Sequence, residues 1–328
     1  MAAQRDANGQ RPEVGTMRVL LGLLAIFMMF SAVSVEAKVC GGEVECGCGD
    51  VLVGESTLGG DLLSCPGDGL RLRRTAVLDC DGHALTGKGR GSGLVLDRTT
   101  GAEVRNCLIS GFRNGFRIRG GSGNRIEDNE ILDNSRYGID LSQQTTGNWI
   151  EGNLISASGD EGIHIGSGAD LNFVLFNDIE DSGAENIYLL DVQHIFLIAN
   201  NLSGSGSASI YMKHAQKSLI VLNSIEDRVV QVRGASHENA FVLNHLTGAG
   251  YNFEAYEENQ NRSRAARGWT APTANRVIGG SIDATGTCVR FSGASGNRVE
   301  GVAATNCNLS RSASRGDLTA GDNFLEFL

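Results

Sequence analysis

The sequence predicts an all-β solenoid, a parallel β-helix. Three observations carry this: a unit that recurs about every 23 residues, a period-two apolar alternation inside each copy, and a glycine content that suits turns rather than helices. The unit is Asn-x-Ile-x-x-Asn-x-Ile. It superposes without gaps at Asn124-Arg-Ile126-Glu-Asp-Asn129-Glu-Ile131, Asn148-Trp-Ile150-Glu-Gly-Asn153-Leu-Ile155 and Asn172-Phe-Val174-Leu-Phe-Asn177-Asp-Ile179. Weaker copies carry the second Asn column through His83, Cys107, Asn129, Asn153, Asn177, Asn200, Asn223 and Asn244, at spacings of 21 to 24 residues. A period of roughly 20–50 residues signifies stacked repeats. The chain holds 45 Gly and 3 Pro in 328 residues. Each Gly inside a helix would cost about 0.8–1.0 kcal/mol relative to Ala, which disfavours an all-α reading.

From the N-terminus, Arg18 precedes the apolar run Val19 to Phe30, and small residues lead to Val35-Glu36-Ala37. This is the pattern of a signal peptide over 1–37, cleaved after Ala37. The run is too short to cross a bilayer core of about 30 Å, so no membrane span is expected and the product is secreted or periplasmic. Residues 1–37 hold three basic and three acidic residues, so the exported part keeps the net charge of −10. That charge excludes a broad nucleic-acid footprint, and binding an acidic polymer would need a local basic patch. All eight cysteines lie after Ala37, and an even count in an exported chain reads as disulfides. Cys80 and Cys107, 27 residues apart, and Cys288 and Cys307, 19 apart, are each near one period and should staple adjacent coils. Cys48 with Cys65 and Cys40 with Cys46 complete the set. Residues 38–66 form a cysteine-rich cap, and 67–328 the β-helix, interrupted by a polar loop insertion at about 255–271. A monomer is expected.

A second motif follows each column Asn: Gly69-Leu-Arg-Leu72, Gly93-Leu-Val-Leu96, Gly115-Phe-Arg-Ile118, Gly138-Ile-Asp-Leu141, Gly162-Ile-His-Ile165, Asn186-Ile-Tyr-Leu189 and Ser209-Ile-Tyr-Met212. Its apolar members face inward and the residue between them outward. On these units the chain resembles the right-handed parallel β-helix repeat proteins of the pectate-lyase-like superfamily over roughly residues 69–325. The resemblance implies about ten to eleven coils. It also implies an amide ladder at Asn129, Asn153, Asn177, Asn200, Asn223 and Asn244. That superfold hosts lyases, hydrolases, epimerases, adhesins and inert spikes. The Asn-Thr-Asp, Asp-Asp and Gly-His-Gly set of polygalacturonases, the Asp-Pro-His-Asp of alginate epimerases and the Arg-x-Pro-x-x-Arg of pectate lyases are all missing, so no family catalytic set carries over.

In register, the outward residues of the second motif form one exposed column: Arg71, Val95, Arg117, Asp140, His164, Tyr188 and Tyr211, continued by Gln231, Asn252 and Arg290. Neighbours stand about 4.8 Å apart. Proton abstraction beside a uronate carboxylate, as in lyases and C5-epimerases, needs a cation, a base and a proton donor. Arg117 or Lys213 could neutralise, His164 act as base, Asp140 orient its imidazole, and Tyr188 or Tyr211 donate. Glycoside hydrolysis would need two carboxylates, for which Asp140 with Asp160 or Glu161 is the available pairing. A second strip, through Glu103, Glu127, Glu151 and Glu300, reads as mostly acidic. No cofactor is expected, apart from a calcium site that Asp160, Glu161 and Asp170 could form. The two functions left open are binding or modification of polysaccharide, and a non-catalytic structural or adhesive role.

Overall fold

The computed structural model describes residues 37–166, 168–259, 267–312 and 323–327, so the expected signal peptide lies, except for Ala37, outside the described residues. The chain winds into a right-handed parallel β-helix of about 11 coils. A representative coil holds strands Ile163–Gly166, Phe173–Leu175 and Asp178–Glu180, after which Ile187–Leu190 begins the next. Each strand pairs in parallel with its counterpart one repeat away, giving three faces, termed first, second and third in chain order. The period-two alternation fixes the interior. Ile139, Ile163, Ile187 and Ile210 are fully buried in the first face, and Ile131, Ile155 and Ile179 in the third. Each such side chain contributes about 1.5–3 kcal/mol.

Between the second and third faces the chain turns through left-handed residues, Asp128, Phe176, Ala199, Leu222 and Leu243 among them, with φ of 53–58°. The Asn that follows each one forms the ladder. Asn129, Asn153, Asn177, Asn200 and Asn223 each donate Nδ2–H to the Oδ1 of the next Asn, ending on Asn244, at 3.0 Å throughout. The same Oδ1 accepts the backbone N–H of the preceding column residue, so buried turn amides are satisfied one coil apart. The first Asn of the unit builds a second ladder that the sequence reading did not assign. It runs through Asn124, Asn148 and Asn172, and again through Asn239, Asn275, Asn297 and Asn323.

All eight cysteines pair as expected, Cys80–Cys107 and Cys288–Cys307 as their spacing predicts and Cys40–Cys46 and Cys48–Cys65 as the pairs left over, with Cα–Cα distances of 4.8–5.4 Å. The cysteine-rich segment continues the stack, since Val39–Cys40 pairs with Val51–Leu52 and that strand with Leu70–Leu72. At the other end Phe324–Phe327 pairs with Arg298–Ser312. The insertion expected as a loop begins and ends as an antiparallel ribbon, Tyr256–Asn259 against Arg267–Thr270. Such pairing satisfies backbone groups that have left the coil.

The expected acidic strip does not form. Inward Val104 aligns with Ile126, so Glu103 shares a column with Arg125, Trp149 and Phe173, while Arg105 precedes Glu127 and Glu151. Between Glu151 and Glu300 that second column is Leu175, Ile198, Val221, Val242 and Ile278, all apolar. Among the described residues no helix is long and apolar enough to cross a membrane.

Candidate functional site

On the first face the register runs Arg71, Val95, Arg117, Asp140, His164, Tyr188, Tyr211, Gln231, Asn252, Arg290, each paired with the next. The column is more enclosed than an exposed strip: Asp140 is 4% and Gln231 8% exposed. Stacking about 4.8 Å apart lets each side chain be covered by the coils on either side.

At the centre, Nδ1 of His164 lies 3.1 Å from Oδ1 of Asp140. A carboxylate in its ionised form can only accept, so across this contact Nδ1 is the donor, and in the neutral imidazole that tautomer leaves the lone pair on Nε2. Nε2 makes no hydrogen bond to the described residues. Gly166 makes room for the ring: a Cβ there would stand 3.0 Å from Cε1 of His164. Tyr137 stacks on the imidazole with centroids 4.8 Å apart and planes within 8°. On the other side lies Tyr188 at 5.7 Å, itself stacked on Tyr211 at 5.1 Å. Burial, then the nearby Tyr211 and Glu185, pushes the Tyr188 phenol well above its ordinary pKa, so it stays protonated and able to donate.

The cations depart from expectation. Arg117 turns one coil back to Asp97, at 3.2 Å. The guanidinium beside Asp140 is Arg119, 3.5 Å from Oδ2. Lys213 lies over the ring of Tyr256 at the base of the ribbon, 4.2 Å from its centroid. Sequence reasoning missed Arg119, Tyr137 and Glu185. Glu161 and Glu185 each stand two residues before a first-face strand, ahead of Gly162 and Asn186, and that shared position was the available signal. Burial raises the pKa of both. For Glu161 the nearby His164 opposes the shift, and for Glu185 a hydrogen bond from Ser207 does.

Arg71, Arg73, Arg98 and Arg119, with Asp97 and Gln143, line an open cavity of about 410 Å³ at the head of the column. A larger one of about 490 Å³, with Asp81, Asn106, Asp128 and Glu130 in its wall, has no imidazole, phenol or cation in its lining. Of the three carboxylates considered for calcium, Asp160 pairs with Arg136 at 3.4 Å and Asp170 accepts the backbone N–H of Gln193 at 2.8 Å. Among the described residues no group of three or more His, Cys, Asp or Glu side chains is arranged to hold a metal ion.

Solved structures share this architecture. A variant of the periplasmic alginate epimerase AlgG superposes with a TM-score of 0.57 at 12% identity, over 81% of this chain and 76% of that one. The A-module of the mannuronan C-5 epimerase AlgE6 of Azotobacter vinelandii gives 0.55 at 16% identity, over 86% and 90%. PfbA, a surface adhesin of Streptococcus pneumoniae, gives 0.50 at 9% identity, over 83% and 84%. At these identities the likeness is one of fold. No curated protein matches in sequence. The family described as Periplasmic copper-binding protein (NosD) matches residues 75–283. Copper favours thiolate, thioether or clustered imidazole donors. Here the cysteines are in disulfides, Met212 is buried in the core, and the described histidines form no cluster with other ligands, so these residues do not fit that metal. The match spans nearly two thirds of the chain and takes in the Asn129–Asn244 ladder and the column from Val95 to Asn252, His164 included, and on that extent the chain belongs to the NosD family.

Proposed function

We propose that this exported β-helix protein binds an acidic polysaccharide along its first face, with uronate carboxylates held at the arginine cavity and the His164–Asp140 pair positioned to move a proton. The observation that carries this reading is the cavity lined by Arg71, Arg73, Arg98 and Arg119, in a chain whose net charge is −10. Cations gathered against the overall charge, at the head of a column of stacked rings, suit a polyanionic sugar chain. The similarity in fold to alginate epimerases is consistent with it. In this scheme Nε2 of His164 takes the proton from the carbon beside the carboxylate, and Asp140 stabilises the resulting imidazolium. Tyr188 then either returns a proton to the opposite face of that carbon, inverting it, or protonates the departing glycosidic oxygen as the C4–C5 double bond forms. The expected signal peptide over 1–37 would deliver the protein to the compartment that holds such polymers.

The experiment is a screen of the purified protein against uronate and neutral polysaccharides, reading binding, unsaturated product in the ultraviolet, and proton exchange at C5. Binding confined to uronates, weakened about tenfold or more by Arg71→Gln with Arg73→Gln and by added salt, is the expected result. His164→Ala and Tyr188→Phe should abolish turnover and retain binding. Equal binding to neutral polymers, or none, overturns the proposal. A non-catalytic adhesive role is favoured by one observation, the small exposure of the His164 and Asp140 side chains, 15% and 6%. Uronate binding without turnover on every polymer would select it.

A further inference from the structure

The second face carries a continuous apolar surface that the coil itself does not require. Its outward columns are Trp149, Phe173, Phe196, Leu219 and Ala240, and beside them Leu175, Ile198, Val221, Val242 and Ile278. Trp149, Phe173 and Phe196 stack at 4.5 and 4.8 Å. A third column lies at the turn that leaves this face: Phe176, Leu222 and Leu243 are 59%, 57% and 53% exposed. These three also hold φ of 54°, 58° and 53°, the left-handed conformation that other coils assign to Asp128, Gly152, Gly279 and Gly301. A bulky apolar side chain is disfavoured there by its backbone and again by its exposure to water. Nothing among the described residues compensates either cost, which points to a surface that is covered.

We infer that this face associates with the same face of a second copy, around a two-fold axis parallel to the strands. Such an axis keeps strand direction and reverses the order of coils, and the sequence of the face suits that reversal. Centred between the coils of Phe196 and Leu219, it sets Phe196 against Leu219 and Phe173 against Ala240, large against small. Trp149 then meets Arg276, and the coil of Arg125 and Glu127 meets that of Arg298 and Glu300. Same columns meet, so Arg125 stands opposite Arg298 and Glu127 opposite Glu300, and the flanks are complementary only in net charge. At one end Glu127 and Glu151 against Arg125 leave one net negative charge, and at the other Arg276 and Arg298 against Glu300 leave one net positive charge. From the Arg125 coil to the Arg298 coil the face is eight coils tall. At about 4.8 Å per coil and about 13 Å across, each copy offers about 500 Å², so the pair buries about 1,000 Å². That meets the lower limit of a specific interface, about 1,000 Å², and implies a dimer that dissociates on dilution.

The test is sedimentation velocity on the purified protein from low micromolar to several hundred micromolar, beside Leu222→Asn with Leu243→Asn, and separately Val221→Lys. Asparagine accepts the left-handed conformation, so the double variant should melt as a monomer no lower than the parent. Its self-association should weaken by about tenfold or more. Val221→Lys reaches the same result by placing charge in the centre of the face, and decides the matter if the double variant fails to fold. A parent that stays monomeric over the whole range overturns the inference, as do variants that dimerise as tightly as the parent.

Discussion

Replacing Asn177 by Ala tests the ladder at its middle. The Asn177 side chain is fully buried and makes five hydrogen bonds. Its Oδ1 accepts from the backbone N–H and the Nδ2 of Asn153, both at 3.0 Å. Its Nδ2 donates to the carbonyls of Ile150 and Leu175 and to Oδ1 of Asn200. Several partners keep other bonds after truncation. The Leu175 carbonyl still receives the Gly152 N–H, Oδ1 of Asn200 still receives the Asn177 N–H, and Nδ2 of Asn153 still reaches Ile126 and Glu151. The Asn153 N–H loses its acceptor and the Ile150 carbonyl loses its side-chain donor. At about 1–3 kcal/mol per stranded buried group, the cost is about 2–4 kcal/mol. For an ordered unit of this size that lowers the melting midpoint by about 3–7 °C. Circular dichroism melts should be run beside Asn201→Ala, the exposed neighbour, which should stay within about 0.5 kcal/mol of the parent. A melt for Asn177→Ala indistinguishable from that of Asn201→Ala would refute the ladder as a source of stability.

Glu161 and Glu185 both have raised folded-state pKa values, chiefly through burial, so each destabilises the folded state once it ionises. Their contribution to stability is therefore gained as pH falls through the folded pKa and levels off near the ordinary carboxyl value of 4.5. The Glu161→Gln, Glu185→Gln variant should melt higher than the parent at neutral pH, and this advantage should shrink on acidification; equal melting at both pH values would refute the assignment. Opening Cys80–Cys107 with a paired Ala substitution frees a 27-residue loop and should cost about 3–4 kcal/mol by chain entropy, read as a lower melting midpoint. Hydrogen exchange in that variant should quicken first in the coils bearing the two positions, and uniform exchange across the solenoid would count against a local staple.

Much of this fold was legible because the period converts sequence distance into contact. Cys80 and Cys107, or Asn153 and Asn177, are near neighbours for the same reason that they are about one repeat apart. The alternation in Ile163-His164-Ile165 likewise decided which residue faces out. The partners of those outward residues were harder to read. Arg117 and Arg119 both point away from the core, and only the course of their long side chains decides that one meets Asp97 and the other Asp140. The apolar face was hidden for another reason. In Phe173-Val174-Leu175-Phe176 every residue is hydrophobic, so periodicity cannot separate the inward Val174 from its outward neighbours, and the segment reads as an ordinary buried strand.

Stacking also explains why no short motif announces the site. In a globular enzyme an acid and the imidazole it orients often lie on neighbouring loops, whereas here Asp140 and His164 are 24 residues apart and occupy the same position in successive coils. A column of this kind specifies which groups meet but leaves every step between them near the coil spacing of about 4.8 Å. Direct bonding then requires a side chain that leans along the axis. His164 does so because Gly166 leaves space beside its ring and Tyr137 supports the ring on one side. Substituting Ala for Gly166 would bring a methyl group to 3.0 Å from Cε1, tilting the imidazole off Asp140 with little effect on the coil. The proton-transfer role proposed for His164 rests on that contact. If Gly166→Ala left both turnover on a uronate polymer and its pH profile unchanged, Asp140 would not be what orients the base.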